Sequence, residues 1–221
     1  MVKRIVTNRN IRQKSYELIR DHIVSNEVPP GTKINEGELA RELGVSKTPV
    51  REALSKLAHE GIVEIIPNRG SFKVKLSKED MLEIMTIRET LEGLCVRLAA
   101  EHADNKAVKK LKAILDEFDE SNLERNFSHY PEALKRFHTI IYSLSKSPRL
   151  IRIIKSMYDL THTFRLLYFN NPERVRRSLR AHRELISALE KKDGELAEIG
   201  RKNAIRSAYE SLLEMAPDDR I

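Results

Sequence analysis

The chain has 221 residues, of which 40% are hydrophobic, and it carries a formal net charge of +7. This length is comfortable for two domains, and no stretch approaches the roughly eighteen apolar residues of a membrane span. Met1–Asn10 lacks the apolar run of a signal peptide, so we expect a cytoplasmic protein without a membrane partner. Cys95 is the only cysteine, which excludes an internal disulfide, and its apolar helical stripe predicts a buried structural thiol.

The positive charge is concentrated in the first third of the chain. Residues 1–76 contain 14 Lys or Arg against 9 Asp or Glu, whereas residues 77–221 contain 26 against 24. A basic N-terminal part suits a polyanionic partner, but a generally basic surface gives a similar count. Charge alone therefore leaves both interpretations open.

Three helices are predicted in residues 1–76. The first extends from about Asn10 to Asn26, where a Pro-Pro-Gly sequence follows and ends it. The second covers Glu36–Leu43, and Gly44 is placed as its left-handed cap. Ser46 or Thr48 caps the third helix, which has Pro49 in its first turn and ends at Gly61. The predicted inner positions of the first helix are Ile11, Tyr16 (or Ser15), Leu18, Ile19 and Ile23.

A β-hairpin is predicted directly after the third helix. Ile62–Ile66 and Ser71–Lys75 are short β-rich runs, and the turn residues Pro67-Asn68-Arg69-Gly70 join them. Helices followed by a hairpin with a basic tip are the parts of a winged helix-turn-helix, which places one helix in the DNA major groove.

From Ser77 onward the pattern becomes helical, and Ser77–Asp80 resembles a capping box. Six apolar stripes follow at helical spacing, with no second cluster of strand-forming residues. Residues 77–221 are therefore predicted to form an all-α bundle of about six helices, so the fold class is mainly α. The stripes lie at Met81–Leu98, Val108–Phe118, Leu134–Leu144, Leu150–Phe169, Val175–Leu189 and Leu196–Leu213.

The residues predicted to contact DNA lie at the start of the third helix and in the hairpin turn. A recognition helix enters the major groove by its N-terminal end, where hydroxyls and backbone N–H groups reach phosphates and basic side chains reach guanine edges. Arg69 in the turn is placed to enter the minor groove. The predicted set is Ser46, Lys47, Thr48, Pro49, Arg51, Arg69 and Gly70.

Pro30–Glu36 and the run from Leu39 to Leu54, continuing to Gly70-Ser71-Phe72, closely resemble the DNA-binding domain of the GntR family of bacterial transcription regulators. Ile87–Glu92, Arg136–His138 and Ala181–Leu189 resemble the FCD effector domain of its FadR-type subgroup. The resemblance implies a DNA-binding domain at 1–76 and an effector-binding and dimerisation domain at 77–221. It also implies a homodimer, a double-stranded operator and a small-molecule effector.

Many FCD domains hold a divalent metal such as zinc or nickel through one aspartate and three histidines. Carried over to this chain, those positions hold Leu134, His138, His182 and Asn203, so half of the set is missing. His138 and His182 remain the candidate metal ligands, and a nearby acid such as Glu92 or Asp159, or the effector itself, would have to complete the coordination shell. The other interpretations are two core histidines bonded to carbonyls, or a metal-free ligand pocket, which we favour.

Arg88 lies on an apolar stripe, so its cation is predicted to point into the bundle. An unpaired buried charge is very costly, so the guanidinium needs an anion. A carboxylate effector or an intramolecular salt bridge would supply one equally well. The predicted effector-binding residues are Arg88, His138, His182 and Asn203.

These features predict a ligand-responsive transcription regulator, most simply a repressor. Two alternatives are a metal-dependent regulator that uses His138 and His182, and an architectural DNA-binding protein without an effector. An enzyme is not expected, because the sequence has no activated-nucleophile motif, no phosphate-binding glycine loop and no complete metal-ligand set.

Overall fold

The computed structural model describes residues 8–25, 27–119, 121–162, 165 and 168–215. The chain divides into two compact units, Met1–Leu76 and Ser77–Ile221. Within the described residues, no helix is long and apolar enough to cross a membrane.

The N-terminal unit is a winged helix-turn-helix. Its elements in chain order are α1 (Asn8–Val24), β1 (Lys33–Ile34), α2 (Glu36–Glu42), α3 (Lys47–His59), β2 (Val63–Ile66) and β3 (Gly70–Lys73). The strands form an antiparallel sheet in the order β1-β3-β2, with Ile66 opposite Gly70 and Val63 opposite Lys73. The predicted three helices and hairpin are confirmed. Strand β1 was not predicted, because two residues are too short to show a period.

Polar caps and glycines set the bounds of α2 and α3. The Asn35 side chain accepts hydrogen bonds from the backbone N–H groups of Gly37 and Glu38, which begins α2. Gly44 and Gly61 adopt φ of 64° and 76° just beyond the ends of the two helices. Only glycine takes this left-handed conformation without a steric cost, so both helices end where the glycines predicted.

One predicted inner position of α1 is wrong. Ser15, Ile19 and Ile23 are buried and lie on one line of the helix at a spacing of four residues. Leu18 is 47% exposed, because it lies about 100° around the helix from Ile19. The predicted end of this helix, Asn26, lies outside the described residues.

Among the residues described for it, the C-terminal unit contains helices and connecting loops but no strand. The six predicted stripes correspond to six of its α-helices, and the four-residue helix α6 and a 3₁₀ turn at Phe127–His129 are additional. The helix α8 ends at Leu160, earlier than the predicted Phe169, and residues 163, 164, 166 and 167 of that stripe lie outside the described set. The helices are α4 (Lys78–His102), α5 (Asn105–Leu115), α6 (Leu123–Asn126), α7 (Tyr130–Leu144), α8 (Pro148–Leu160), α9 (Pro172–Glu190) and α10 (Gly194–Met215).

Helix α4 is the centre of this unit and packs against α7, α8, α9 and α10. The predicted capping box at its start is present, since Ser77 and Asp80 each accept a hydrogen bond from the other residue's backbone N–H. Gly194 lets α10 begin against α4, because a Cβ there would lie 2.9 Å from Cγ and 3.2 Å from the carbonyl oxygen of Arg97. The thiol of Cys95, also on α4, is free and buried as predicted.

Candidate functional site

The first turn of α3 presents a polar, solvent-exposed end. Ser46, Lys47 and Thr48 are exposed, and Pro49 is half-buried. Ser46 is the N-cap residue by its extended backbone, but its hydroxyl makes no capping hydrogen bond, and Thr48 lies inside the helix. The hydroxyl and the first N–H groups of α3 therefore remain available to an anion, which a helix N-terminus attracts.

Arg51, also on α3, is exposed but already has a carboxylate partner. Its Nε donates a hydrogen bond to Oε2 of Glu36 on α2 at 2.7 Å. The terminal Nη1 and Nη2 of Arg51 make no hydrogen bond to a described residue, so both nitrogens can still donate to a guanine edge. Glu36 was not among the predicted site residues. It fixes one side of the guanidinium and leaves the other side to solvent.

The turn between β2 and β3 places the remaining predicted DNA-binding residues at the tip of the hairpin. Arg69 is exposed, and its Cζ lies 5.8 Å from the centroid of the Phe72 ring. Asn68 and Gly70 adopt φ of 60° and 109°, which makes the turn tight. The hairpin therefore presents one cation beyond the edge of the sheet.

The C-terminal unit contains a cavity of about 330 Å³ enclosed mainly by α4, α7, α9 and α10. Apolar side chains form one part of its wall: Met81, Met85, Leu134, Phe169, Ile205 and Leu212. The charged residues of the wall are five arginines and one glutamate: Arg88, Arg165, Arg177, Arg180, Arg201 and Glu184. His138 and His182 also line it. Small-molecule sites in proteins typically combine a largely apolar pocket with a few polar groups in this way.

Two of these arginines share one buried carboxylate, that of Glu92 on α4. Arg88 donates from Nε and Nη2 to Oε1 of Glu92 at 2.9 and 2.8 Å, and Arg201 on α10 binds Oε2. Tyr142 donates its hydroxyl hydrogen to the same Oε2 at 2.9 Å. Arg88, Glu92 and Arg201 are 4%, 0% and 6% exposed, so the triad is buried. Of the two predicted partners for Arg88, the structure contains the intramolecular salt bridge.

The triad carries one more positive than negative charge. Burial alone would raise the pKa of Glu92, but the two guanidinium groups outweigh burial and lower it to about 2. Burial lowers the pKa of Arg201 and the Glu92 carboxylate raises it, with a net rise. Glu92 and Arg201 are therefore charged at neutral pH, and within the described residues the two guanidinium groups of the triad share this one carboxylate.

His138 and His182 form a hydrogen-bonded pair of neutral imidazoles. Their Nε2 atoms lie 3.3 Å apart, and Nδ1 of His182 lies 2.7 Å from the carbonyl oxygen of Ser178. A carbonyl only accepts, so His182 carries its hydrogen on Nδ1 and His138 donates from Nε2. Burial, reinforced by Arg201, lowers the pKa of His182 to about 3 and that of His138 well below its ordinary value. In the part of the chain that the structure describes, the buried Nδ1 of His138 has no hydrogen-bond partner.

These residues do not fit the divalent metal that FCD domains often hold. The spacing of 3.3 Å suits two ligands of one ion, but no third His, Cys, Asp or Glu joins them within the described residues. Both oxygens of Glu92 are already bound to Arg88, Arg201 and Tyr142. The charge of Arg201 also opposes a cation at the histidines. The metal-ligand set of His138 and His182 therefore remains incomplete among the described residues.

The prediction that Asn203 contributes to the cavity is wrong. Asn203 is exposed and does not line the cavity, whereas Arg201, two residues earlier on α10, is buried in its wall. Two residues correspond to about 200° around a helix, so the two side chains point in nearly opposite directions. Sequence analysis also missed Arg165. Its position between two apolar runs is a signal of the same kind as that used for Arg88.

Comparison with known proteins identifies the family. Residues 11–72 match the bacterial regulatory proteins of the gntR family, and residues 83–200 match the FCD domain. The chain belongs to the GntR family. Its relatives are transcription regulators rather than enzymes, and this chain is a GntR-family transcription regulator with an FCD domain.

Three relatives illustrate the similarity of this GntR-family chain to known proteins. The uncharacterized HTH-type transcriptional regulator YdhC of Bacillus subtilis (strain 168) is 30% identical over 185 residues, which cover 82% of each chain. The HTH-type transcriptional repressor RspR of Escherichia coli (strain K12) is 26% identical over 209 residues, covering 95% of this chain and 92% of RspR. The solved structure of E. coli McbR/YncC covers 97% of this chain and 99% of its own, with a TM-score of 0.77 and 22% identity, and supports the fold.

Proposed function

We propose that this regulator binds a DNA operator through its N-terminal unit and that a small carboxylate in the C-terminal cavity changes its operator affinity. The cavity carries the proposal, because two of the arginines in its wall, Arg88 and Arg201, are buried and share the single carboxylate of Glu92. An uncompensated buried cation is costly, so a bound anion stabilises such a wall. An architectural DNA-binding protein has no use for a cavity of this composition.

The DNA-binding part of the proposal rests on the exposed end of α3. Lys47 and the hydroxyls of Ser46 and Thr48, which are exposed, are assigned to phosphate contacts. Arg51, whose Nε alone binds Glu36, is assigned to a guanine edge. Arg69 at the hairpin tip adds a cation for the adjacent groove. These residues supply the charge-neutralising and base-reading contacts that an operator complex needs.

A homodimer is part of the proposal, with the C-terminal unit as the dimerisation domain. Paired operator half-sites mirror a two-fold protein dimer, and one helix-turn-helix covers only one half-site. We expect sedimentation to give a dimer and footprints to show two related half-sites. A monomer that binds a palindromic site tightly would contradict this part of the proposal.

Operator binding in the presence of carboxylates tests the function. Operator DNA is first selected from a random pool by the purified protein, and its affinity is then measured against a panel of small acids. We expect at least one acid to weaken binding by about tenfold or more, which is the behaviour of an inducible repressor. The corresponding primary amides serve as uncharged controls. Operator binding that no acid changes would favour the architectural alternative.

A further inference from the structure

We propose that Arg201 binds the effector carboxylate directly, so that this FCD domain recognises its ligand without a metal ion. This inference rests on the proposed function, because it names the group that recognises the effector. It also assigns a role to a residue that a family-based ligand set does not contain.

The first observation is the unused donor of Arg201. Its Nε and Nη2 atoms both bind Glu92, and Nη1 makes no hydrogen bond to any described residue. The side chain is only 6% exposed and lines the cavity. A buried guanidinium that lines a cavity and keeps an N–H group without a protein acceptor can donate to a carboxylate oxygen, and such charge-assisted hydrogen bonds are among the strongest in proteins.

The second observation is that the guanidinium groups of the neighbouring arginines already donate hydrogen bonds within the protein. Arg88 uses its remaining Nη1 on the hydroxyl of Thr161 at 3.0 Å and on Sδ of Met85 at 3.4 Å. Arg165 donates to the carbonyl of Tyr158 and the hydroxyl of Thr161, and its Cζ lies 3.3 Å from the centroid of the Tyr158 ring. Nη2 of Arg165 lies 3.1 Å from Nδ1 of His162. Among the terminal guanidinium nitrogens of these three arginines, only Nη1 of Arg201 therefore makes no hydrogen bond to a described residue.

The third observation is the balance of charge. Arg88 and Arg201 share Glu92, so the triad keeps one positive charge in a buried place. A carboxylate at Nη1 of Arg201 would neutralise this charge, whereas a divalent cation at the histidine pair would increase it. The same electrostatics that weaken a metal site therefore favour an anion.

The shape of the cavity narrows the ligand class. About 330 Å³ is enough for a small organic acid, and Met81, Met85, Leu134 and Ile205 form an apolar wall beside Arg201. The ligand is therefore a small carboxylate with an apolar body. A bare inorganic anion would leave that apolar wall without contacts.

Calorimetric titration of the full-length dialysed protein, in the presence of a chelator, tests the inference. The probes are straight-chain carboxylates from acetate to octanoate and benzoate, each compared with its primary amide. We expect acids of intermediate length to bind and the amides to bind at least about tenfold more weakly, because an amide lacks the charge. Equal binding of acid and amide, or the absence of binding by every acid at millimolar concentration, would overturn the inference.

Arg201→Lys is the decisive variant, because lysine keeps a cation beside Glu92 but has a single nitrogen, so it lacks the additional N–H groups of the guanidinium. We expect it to fold and to bind the acid at least about tenfold more weakly. Arg206→Lys is the matched control, since Arg206 lies on the same helix but is exposed, pairs with Glu89 and does not line the cavity. Unchanged acid binding by Arg201→Lys would overturn the inference.

A second variant removes both partners of the Arg201–Glu92 ion pair, so that loss of the binding group can be distinguished from a folding defect. Arg201→Gln combined with Glu92→Gln deletes one charge of each sign, so the net charge of the cavity region is unchanged. We expect this folded double variant to lose acid binding.

In a separate titration, zinc or nickel alone is added to the wild-type protein. Stoichiometric metal binding, or acid binding only after metal is added, would overturn the inference, whereas acid binding that leaves operator affinity unchanged would overturn only the proposed function.

Discussion

The two units of this protein use their arginines in opposite ways. In the N-terminal unit, the side chains of Arg51 and Arg69 lie in solvent, where an unneutralised charge costs little. In the C-terminal unit, Arg88 and Arg201 are buried and share one carboxylate. Exposed guanidinium groups are hydrated when no polyanion is bound, so they do not destabilise the fold. Buried charges contribute to the stability of the fold and to ligand binding together, so substitutions in the two units should have different signatures.

The largest expected effect is on stability. Glu92→Gln removes the only carboxylate among the described residues that contacts Arg88 and Arg201, which leaves two guanidinium groups buried around a neutral amide. We expect the free energy of unfolding to fall by about 3–5 kcal/mol, measured by urea denaturation. Glu117→Gln is the control, because its partner Arg136 is about half-exposed and the pair contributes little. Equal stability of Glu92→Gln and wild type would show that the triad is not a stabilising unit.

The corresponding substitution in the N-terminal unit should leave stability unchanged. Arg51→Ala removes an exposed guanidinium, so we expect normal unfolding but a loss of about 1–3 kcal/mol in operator binding if the fork reads a base. Anisotropy titrations with the operator and a scrambled duplex measure the effect, which should be smaller on the scrambled DNA. An equal loss on both duplexes would show that Arg51 contacts only phosphates.

The contrast between the units also separates what sequence patterns predict from what they miss. Gly44 and Gly61 mark the ends of α2 and α3 because a left-handed residue after a helix is a local requirement. Inward positions such as Arg88, His138 and His182 follow from helical spacing, and all three are buried. The contact of Glu92 with Arg201 joins residues 109 positions apart, and packing between α4 and α10 decides it.

The error at Asn203 has the same origin. Carrying a family position onto α10 requires the correct register, and a shift of two residues moves a side chain from the cavity wall to solvent. Local signals therefore predicted the fold and the exposed N-terminal end of α3. The identity of the buried charge partners depends on tertiary packing.

A smaller effect is expected from pH and the histidine pair. The folded-state pKa of His182 is about 3, below its ordinary 6.5, so the unfolded chain binds more protons between these values. Stability should therefore fall as pH decreases below 6.5, by at most about 1.4 kcal/mol per pH unit for one such histidine. Glu92 contributes only below its own ordinary pKa of 4.5.

Urea denaturation between pH 7.5 and pH 5 measures this dependence. His182→Asn should be less sensitive to pH than wild type, because the buried group that resists protonation is gone. His59→Asn, at an exposed position of α3, should keep the pH dependence of wild type. An unchanged slope in His182→Asn would contradict the neutral, buried imidazole pair.

The smallest effect concerns Glu36, which holds Nε of Arg51. Glu36→Gln weakens that contact. We expect the ratio of operator affinity to scrambled-DNA affinity to fall about two- to fivefold, because a solvent-accessible ion pair contributes little free energy. Glu38→Gln, in the same turn of α2 and also exposed, should have no effect. Tighter operator binding by Glu36→Gln would mean that Glu36 competes with DNA for Arg51 instead of positioning it.

The most direct test of the central claim joins both units in one measurement. Labelled operator is titrated with wild type and with Arg201→Lys, each with and without the carboxylate that binds wild type, in the presence of a chelator. We predict equal operator affinity for the two proteins without the acid, and an acid-dependent change of about tenfold or more in wild type alone. An equal response of Arg201→Lys to the acid, or a wild-type response that is seen only when the chelator is left out, would contradict the account.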